Sequence, residues 1–275
     1  MKRLLVSSVL FMLVFCLMSP LAFGQQIKKH IFPQIVWGGG YQIDIKVTNV
    51  MSDYTQPALS FFSADGTGTD ATAMYVPFKR VTGETVMASA FGPAAIPGKG
   101  SWKMTLPSTG ELKIGFLSML IPQDAQGRDI QQVEIVCNYL PNGSIIGQAQ
   151  VPEGILRTAF GFSADYSAGL NQDTVDTGVA IVNANRSSAN VNFIVRNAAG
   201  QVVTTGSRVI GLYSQLSVFV SELAPEIKSM TLAGGVSIEV TSDQSLAAIT
   251  LKTTLSKDGI FSFSTGNVFA LPPVQ

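Results

Sequence analysis

Nucleophilic catalysis of the Ser-His-Asp or Cys-His kind needs an imidazole that takes and returns a proton, and the chain has a single histidine, His30. It stands in Lys28-Lys29-His30, a short basic cluster that reads as a solvated leader ahead of the first strand. Cys137 shares one face of an alternating segment with Val133, Ile135 and Tyr139, so it reads as a small buried apolar residue rather than an accessible thiolate. Zinc prefers His and Cys clusters that the sequence lacks, which leaves oxygen-rich loops at 65–70 and 171–176 as places for a hard cation. Neither has the acidic spacing of a calcium loop, and Gly66 and Gly68 fit turn geometry. Gly38-Gly39-Gly40 precedes a strand and lacks the lysine and helix start of a phosphate cradle. Eighteen acidic side chains would allow paired carboxylates, yet none sits in a recognisable motif. The expectation is therefore no catalytic site, no metal and no cofactor. Aromatic residues offer a different chemistry, because Trp37, Tyr41, Tyr54, Phe62 and Trp102 could stack on sugar rings in the manner of a carbohydrate-binding sandwich. Trp102 alternates with Met104 and Tyr41 with Ile43, which also suits inter-sheet packing. Phe62 is out of phase with Leu59 and Phe61 and is expected on the open face. Trp37, Tyr54, Phe62 and Trp102 are the candidate ligand-binding residues.

The elements that must position them begin after an export signal. Lys2 and Arg3, an apolar stretch to Met18 and Ala22-Phe23-Gly24 before Gln25 form the pattern of a signal peptide over 1–24. Its apolar run is short for a bilayer, so no transmembrane segment is expected in the mature chain. Cys16 would leave with the signal, and Cys137 would then be the one thiol, without a disulfide partner. Removing Lys2 and Arg3 leaves sixteen basic against eighteen acidic side chains, which makes nucleic acid a poor partner.

Short alternating stretches separated by Gly, Pro, Asn, Asp and Ser recur along the rest of the chain, the pattern of an all-β protein. Tyr41, Ile43, Ile45 and Val47 alternate with Gln42, Asp44 and Lys46, and Val236, Ile238 and Val240 with Ser237 and Glu239. The two halves also match each other. Asn49 and Asn183, like Gly66 and Gly200, stand 134 positions apart, Gly110 and Gly234 stand 124 apart, and Val133 aligns with Ala247. Each half closes on a turn signal, Asn142-Gly143 or Asp258-Gly259, which predicts type I′ hairpins joining 133–139 to 144–150 and 247–253 to 260–264. Two tandem immunoglobulin-like antiparallel β-sandwich domains follow, 25–150 with an N-terminal leader and 151–275, with the boundary near 150–157 at Pro152 and Gly154. One helical turn is expected at Ser221-Glu222-Leu223-Ala224-Pro225, capped by Ser221.

The phrases Phe32-Pro33, Gly38-Gly39-Gly40-Tyr41, Val47-Thr48-Asn49 and Phe61-Phe62, with Thr177-Gly178-Val179-Ala180-Ile181-Val182-Asn183 in the second unit, resemble tandem immunoglobulin-like β-sandwich repeats of exported bacterial proteins. These are turn and core residues, so the resemblance implies a fold and an exported location but no active site.

The expected function is that of a non-catalytic surface or periplasmic module that binds a glycan, matrix component or envelope protein. The alternative is a structural subunit that polymerises by strand addition, donating residues 25–36 or 266–275.

Overall fold

The computed structural model describes residues 26–63, 72–80, 82–92, 95–168, 173–229 and 235–271. The expected signal peptide and the loop at 65–70 lie outside the described residues.

The fold is all-β with antiparallel sheets, as the alternation predicts. The first half contains β1 (Ile27–Trp37), β2 (Tyr41–Asn49), β3 (Ala58–Ser63), β4 (Thr72–Ala73), β5 (Val76–Lys79) and β6 (Thr85–Ala88). It continues with β7 (Ala90–Phe91), β8 (Ser101–Leu106), β9 (Lys113–Pro122), β10 (Gln131–Tyr139) and β11 (Gly147–Gln150). One sheet runs β1-β9-β3-β4 and another β11-β10-β2-β8. Phe32, Leu59, Phe61 and Leu117 of the first sheet pack on Ile43, Ile45, Leu106 and Ile135 of the second. In β2 the odd-numbered apolar residues from Ile43 to Val47 are buried, while Lys46 between them is exposed.

The second half contains β12 (Arg157–Ala164), β13 (Tyr166–Ser167), β14 (Thr174–Asn183), β15 (Ala189–Asn197), β16 (Val202–Ile210) and β17 (Ser214–Phe219). A short helix α1 (Val220–Leu223), a 3-10 turn (Pro225–Ser229), β18 (Val236–Leu255), β19 (Phe261–Asn267) and β20 (Phe269–Ala270) complete it. The strand β18 serves both layers. Its start pairs with β12 and β15, and its end with β14 and β19. Phe160, Phe162, Phe193 and Ile238 of one layer enclose a core with Val179, Ile181 and Leu216 of the other.

The pairing order recurs between the halves. Strand β2 lies between β10 and β8 as β14 lies between β18 and β17. The fully buried Asn49 and Asn183 end β2 and β14 with the same set of bonds. Nδ2 of Asn49 donates to the carbonyls of Asp53 (2.6 Å), Ile96 (3.1 Å) and Pro97 (3.1 Å), and its Oδ1 accepts from the Met51 amide. Nδ2 of Asn183 donates to those of Ser187 (2.8 Å), Ile210 (3.0 Å) and Gly211 (2.9 Å), and its Oδ1 accepts from the Asn185 amide. One amide thus satisfies carbonyls from two separate loops that burial would otherwise leave unpaired.

The halves meet face to face. Ile31, Phe116 and Phe62 from the outer side of the β1-β9-β3 sheet pack on Val182, Ala184 and Ala247. Gln215 donates through Nε2 to the Pro33 carbonyl at 2.8 Å, and Lys29 through Nζ to that of Ala184 at 2.7 Å. The connection at 151–156 has no strand, but it is packed: the Gly154 amide bonds the Ile31 carbonyl, and a Cβ on Gly154 would stand 2.6 Å from Pro33 and 2.9 Å from Ala247.

Several expectations need correction. Lys28, Lys29 and His30 are no leader: they lie in β1, paired with β9. A register shift between Phe32 and Ile35 buries consecutive residues there and hides the strand period. Both hairpins form, but only Gly143 and Gly259 take positive φ, whereas type I′ requires it at both central residues. Ser221 is not the cap of α1; it donates to Asp176, and the Phe219 amide is capped by Glu222 at 3.1 Å. Among the described residues of the two segments expected as strand donors, β1 pairs with β9, β19 with β18 and β20 with β12, which leaves the strand-addition alternative untouched.

Candidate functional site

Where the hairpins of the two halves approach each other, Gly147 of β11 has no room for a Cβ, which would stand 2.9 Å from the Phe263 ring. That close approach draws together aromatic side chains from both halves. The Tyr41 and Tyr139 rings lie 4.7 Å apart, Tyr139 meets Phe261 edge-on at 5.3 Å, and Tyr41 meets Phe263 edge-on at 6.3 Å. Offset and edge contacts of this kind suit ring quadrupoles. Tyr41, Phe261 and Phe263 line a cleft of about 500 Å³, together with Leu112 and Ile114 of the first half and Phe219 of the second. Its polar members include Gln34, Glu222 and Thr253. Burial, helped by the neighbouring Tyr139 and Cys137, raises the Tyr41 phenol above its usual range. Burial also pushes the Cys137 thiol up to about 12, so at neutral pH the cleft presents a neutral phenol and a neutral thiol.

The four predicted aromatics are not assembled into this cleft. Trp37 is 8% exposed within the first core, its indole enclosed rather than offered to a ligand, and Trp102 packs half-buried on the same core. Phe62 is not open. Its period correctly puts it on the outer face of β3, but the second half covers that face, and the ring stacks on Phe116 at 4.8 Å and on Tyr213 at 5.7 Å. Tyr54 is 74% exposed in the segment after β2. The sequence reading weighed Tyr41 but missed Tyr139, Phe261 and Phe263. Their signal was available, since all three flank the two Gly turns already identified as hairpins.

His30 also differs from its expected place. It is 3% exposed, with Nδ1 3.0 Å from Glu153 Oε2 and Nε2 3.4 Å from Asp129 Oδ1. Burial acts to raise the Asp129 carboxyl, but the Gln123 amide and the charges of His30 and Lys28 hold it below the usual carboxylate range. The proposed cation loop at 65–70 and residues 171 and 172 lie outside the described residues. Among the described residues no helix is long and apolar enough to cross a membrane.

No protein-family model and no curated protein matches the chain. Among solved structures it is similar to a beta-glucuronidase from Bacteroides uniformis at 8% identity and a TM-score of 0.18, covering 90% of this chain and 26% of that one. A glycosyl hydrolase family 2 member from Bacteroides cellulosilyticus gives the same identity and TM-score, covering 89% and 29%. The chain therefore spans little more than a quarter of the length of these proteins, and likeness at this level carries no activity to it.

Proposed function

We propose that the chain is an exported, non-catalytic binding module of the bacterial cell envelope, built from two copies of one immunoglobulin-like sandwich, and that its partner is an envelope protein presenting an apolar segment. The aromatic-walled cleft between the halves carries this reading. Concave apolar sites with a few polar groups are where partners and ligands bind, and large rings supply most of the energy in such sites. Leu112 and Phe219 leave apolar surface exposed at the cleft, 45% and 37% open. Support for two copies comes from the matched spacing and the matched Asn49 and Asn183 bonds. Support for export comes from the pattern of residues 1–24.

The test is capture from an envelope extract on immobilised protein, comparing the native chain with Leu112→Ser, Phe219→Ser and the surface control Tyr54→Ser. A protein retained by the native chain and the control but lost by both cleft variants is the expected result. Retention unaffected by the cleft substitutions would remove the proposal.

A further inference from the structure

Two cations and a phenol meet at the junction of the halves with no carboxylate among them. Lys29 of β1 shares the outer face of its sheet with Ile31. Its half-buried Nζ donates to the Ala184 carbonyl at 2.7 Å and lies 5.4 Å from the centre of the Tyr213 ring. The Tyr213 hydroxyl accepts from Arg186 Nε at 3.3 Å. That ring is held in place, since it stacks on Phe62 at 5.7 Å and the Tyr213 amide donates to the Asn185 carbonyl at 3.2 Å. Among the described residues neither Lys29 nor Arg186 forms an ion pair, whereas Lys28 and His30, on the opposite face of β1, are answered by Asp129 and Glu153. Burial lowers the Lys29 ammonium from its usual range, Tyr213 opposes that fall, and the Arg186 charge deepens it. A half-buried cation that faces a second cation is costly unless an anion joins them.

We infer that Lys29, Arg186 and Tyr213 bind a phosphate group, as the inorganic ion or as a phosphomonoester. Charge sets the ligand, because two cations balance a dianion. Donor number sets its shape: a tetrahedral phosphate carries enough oxygens to take a hydrogen bond from each of the three residues at once. Lys29 spends one of its three N–H groups on Ala184, Arg186 keeps the terminal nitrogens of its fork, and Tyr213, which accepts from Arg186, keeps its O–H to donate. Arg186 is exposed, so the cluster is open to solvent. Lys29 belongs to the first half and the other two residues to the second, so the bound anion ties the halves together. The aromatic cleft contains none of the three, and the inference stands whether or not a protein occupies that cleft.

Calorimetric titration with inorganic phosphate and with glycerol phosphate, at constant ionic strength set by sodium chloride, tests this. The expected result is one saturable site with a dissociation constant on the order of 1 mM. Equal binding of glycerol phosphate supports an esterified group as the ligand, and a preference for phosphate supports the free ion. Lys29→Gln and Arg186→Gln should each weaken binding by about 10-fold and Tyr213→Phe by about 3-fold, while Lys29→Arg retains it. Arg208→Gln, which removes an exposed cation lying over the Phe193 ring, should leave binding unchanged. Phosphate should also raise the unfolding temperature of the native chain above that in chloride of equal ionic strength, and should not do so for Arg186→Gln. Arg186 is exposed, so a loss of binding there reports the site rather than the fold. The inference is overturned if neither phosphate compound shows a saturable site, if chloride gives the same stabilisation, or if Arg186→Gln binds like the native chain.

Discussion

In the second half the chain crosses from one layer to the other on a single strand, β18, whereas in the first half the matching path is divided into β9 and β10. The sequence spacing locates the difference. Gly110 and Gly234 stand 124 positions apart but Val133 and Ala247 only 114, so the first half carries ten more residues between these points. Within this stretch residues 123–130 form the loop between β9 and β10. There Asp124 accepts from the Gln126 and Arg128 amides and from Arg128 Nε, and Asp129 turns back to face His30. The frame, marked by Asn49 and Asn183, is held constant while a polar loop is added at its rim.

Substitutions can break or sharpen this comparison. The largest effect should come at the junction the halves share: Phe116→Ala removes a fully buried ring and is expected to cost about 3–5 kcal/mol in chemical denaturation. A loss below about 1 kcal/mol would mean that the junction adds little to stability. Next, Asn49→Ala and Asn183→Ala each remove two N–H groups shared among three carbonyls and an oxygen that accepts a backbone amide, so each should cost about 3 kcal/mol. The equivalence of the halves predicts two losses that agree to within about 1 kcal/mol, and a wide gap would break it.

The smallest effects should appear in the pH dependence of stability, with opposite signs in the two halves. Asp129 of the first half is held below its usual range. Its contribution is present above the unfolded-chain value of 3.8 and is lost as pH falls through the folded value. Asp176 of the second half is raised by burial against hydrogen bonds from Ser221 and Thr177. Its contribution is therefore present at low pH and lost as pH rises through the raised value. Asp129→Asn should flatten the acid-side loss. Asp176→Asn should increase stability near neutrality, with the gain fading as pH falls. Denaturation at intervals over roughly pH 3 to 7 reads both slopes.

Much of the framework is legible in the residues themselves. Alternation marks β2 and the start of β18, and the dipeptides Asn142-Gly143 and Asp258-Gly259 mark both hairpins because glycine readily takes the positive φ that their turns use. The candidate site is less legible, for a physical reason. A period of two tells which face of β3 Phe62 occupies, but not that another sheet covers that face. The same holds at Leu112, Ile114 and Phe116, whose shared face turns to the second half rather than to the core of the first. The burial of His30 is not legible in the sequence because the bulge near Pro33 erases the period of β1 and its partners Asp129 and Glu153 lie far along the chain.

Gly154 limits how closely Pro33 and Ala247 can approach each other across the junction of the halves. A methyl group in place of its hydrogen would press on Pro33 from one half and Ala247 from the other. Loops that end in solvent can lengthen or drift from one descendant sequence to the next, but this stretch is a gauge block whose thickness is fixed by the two halves it separates.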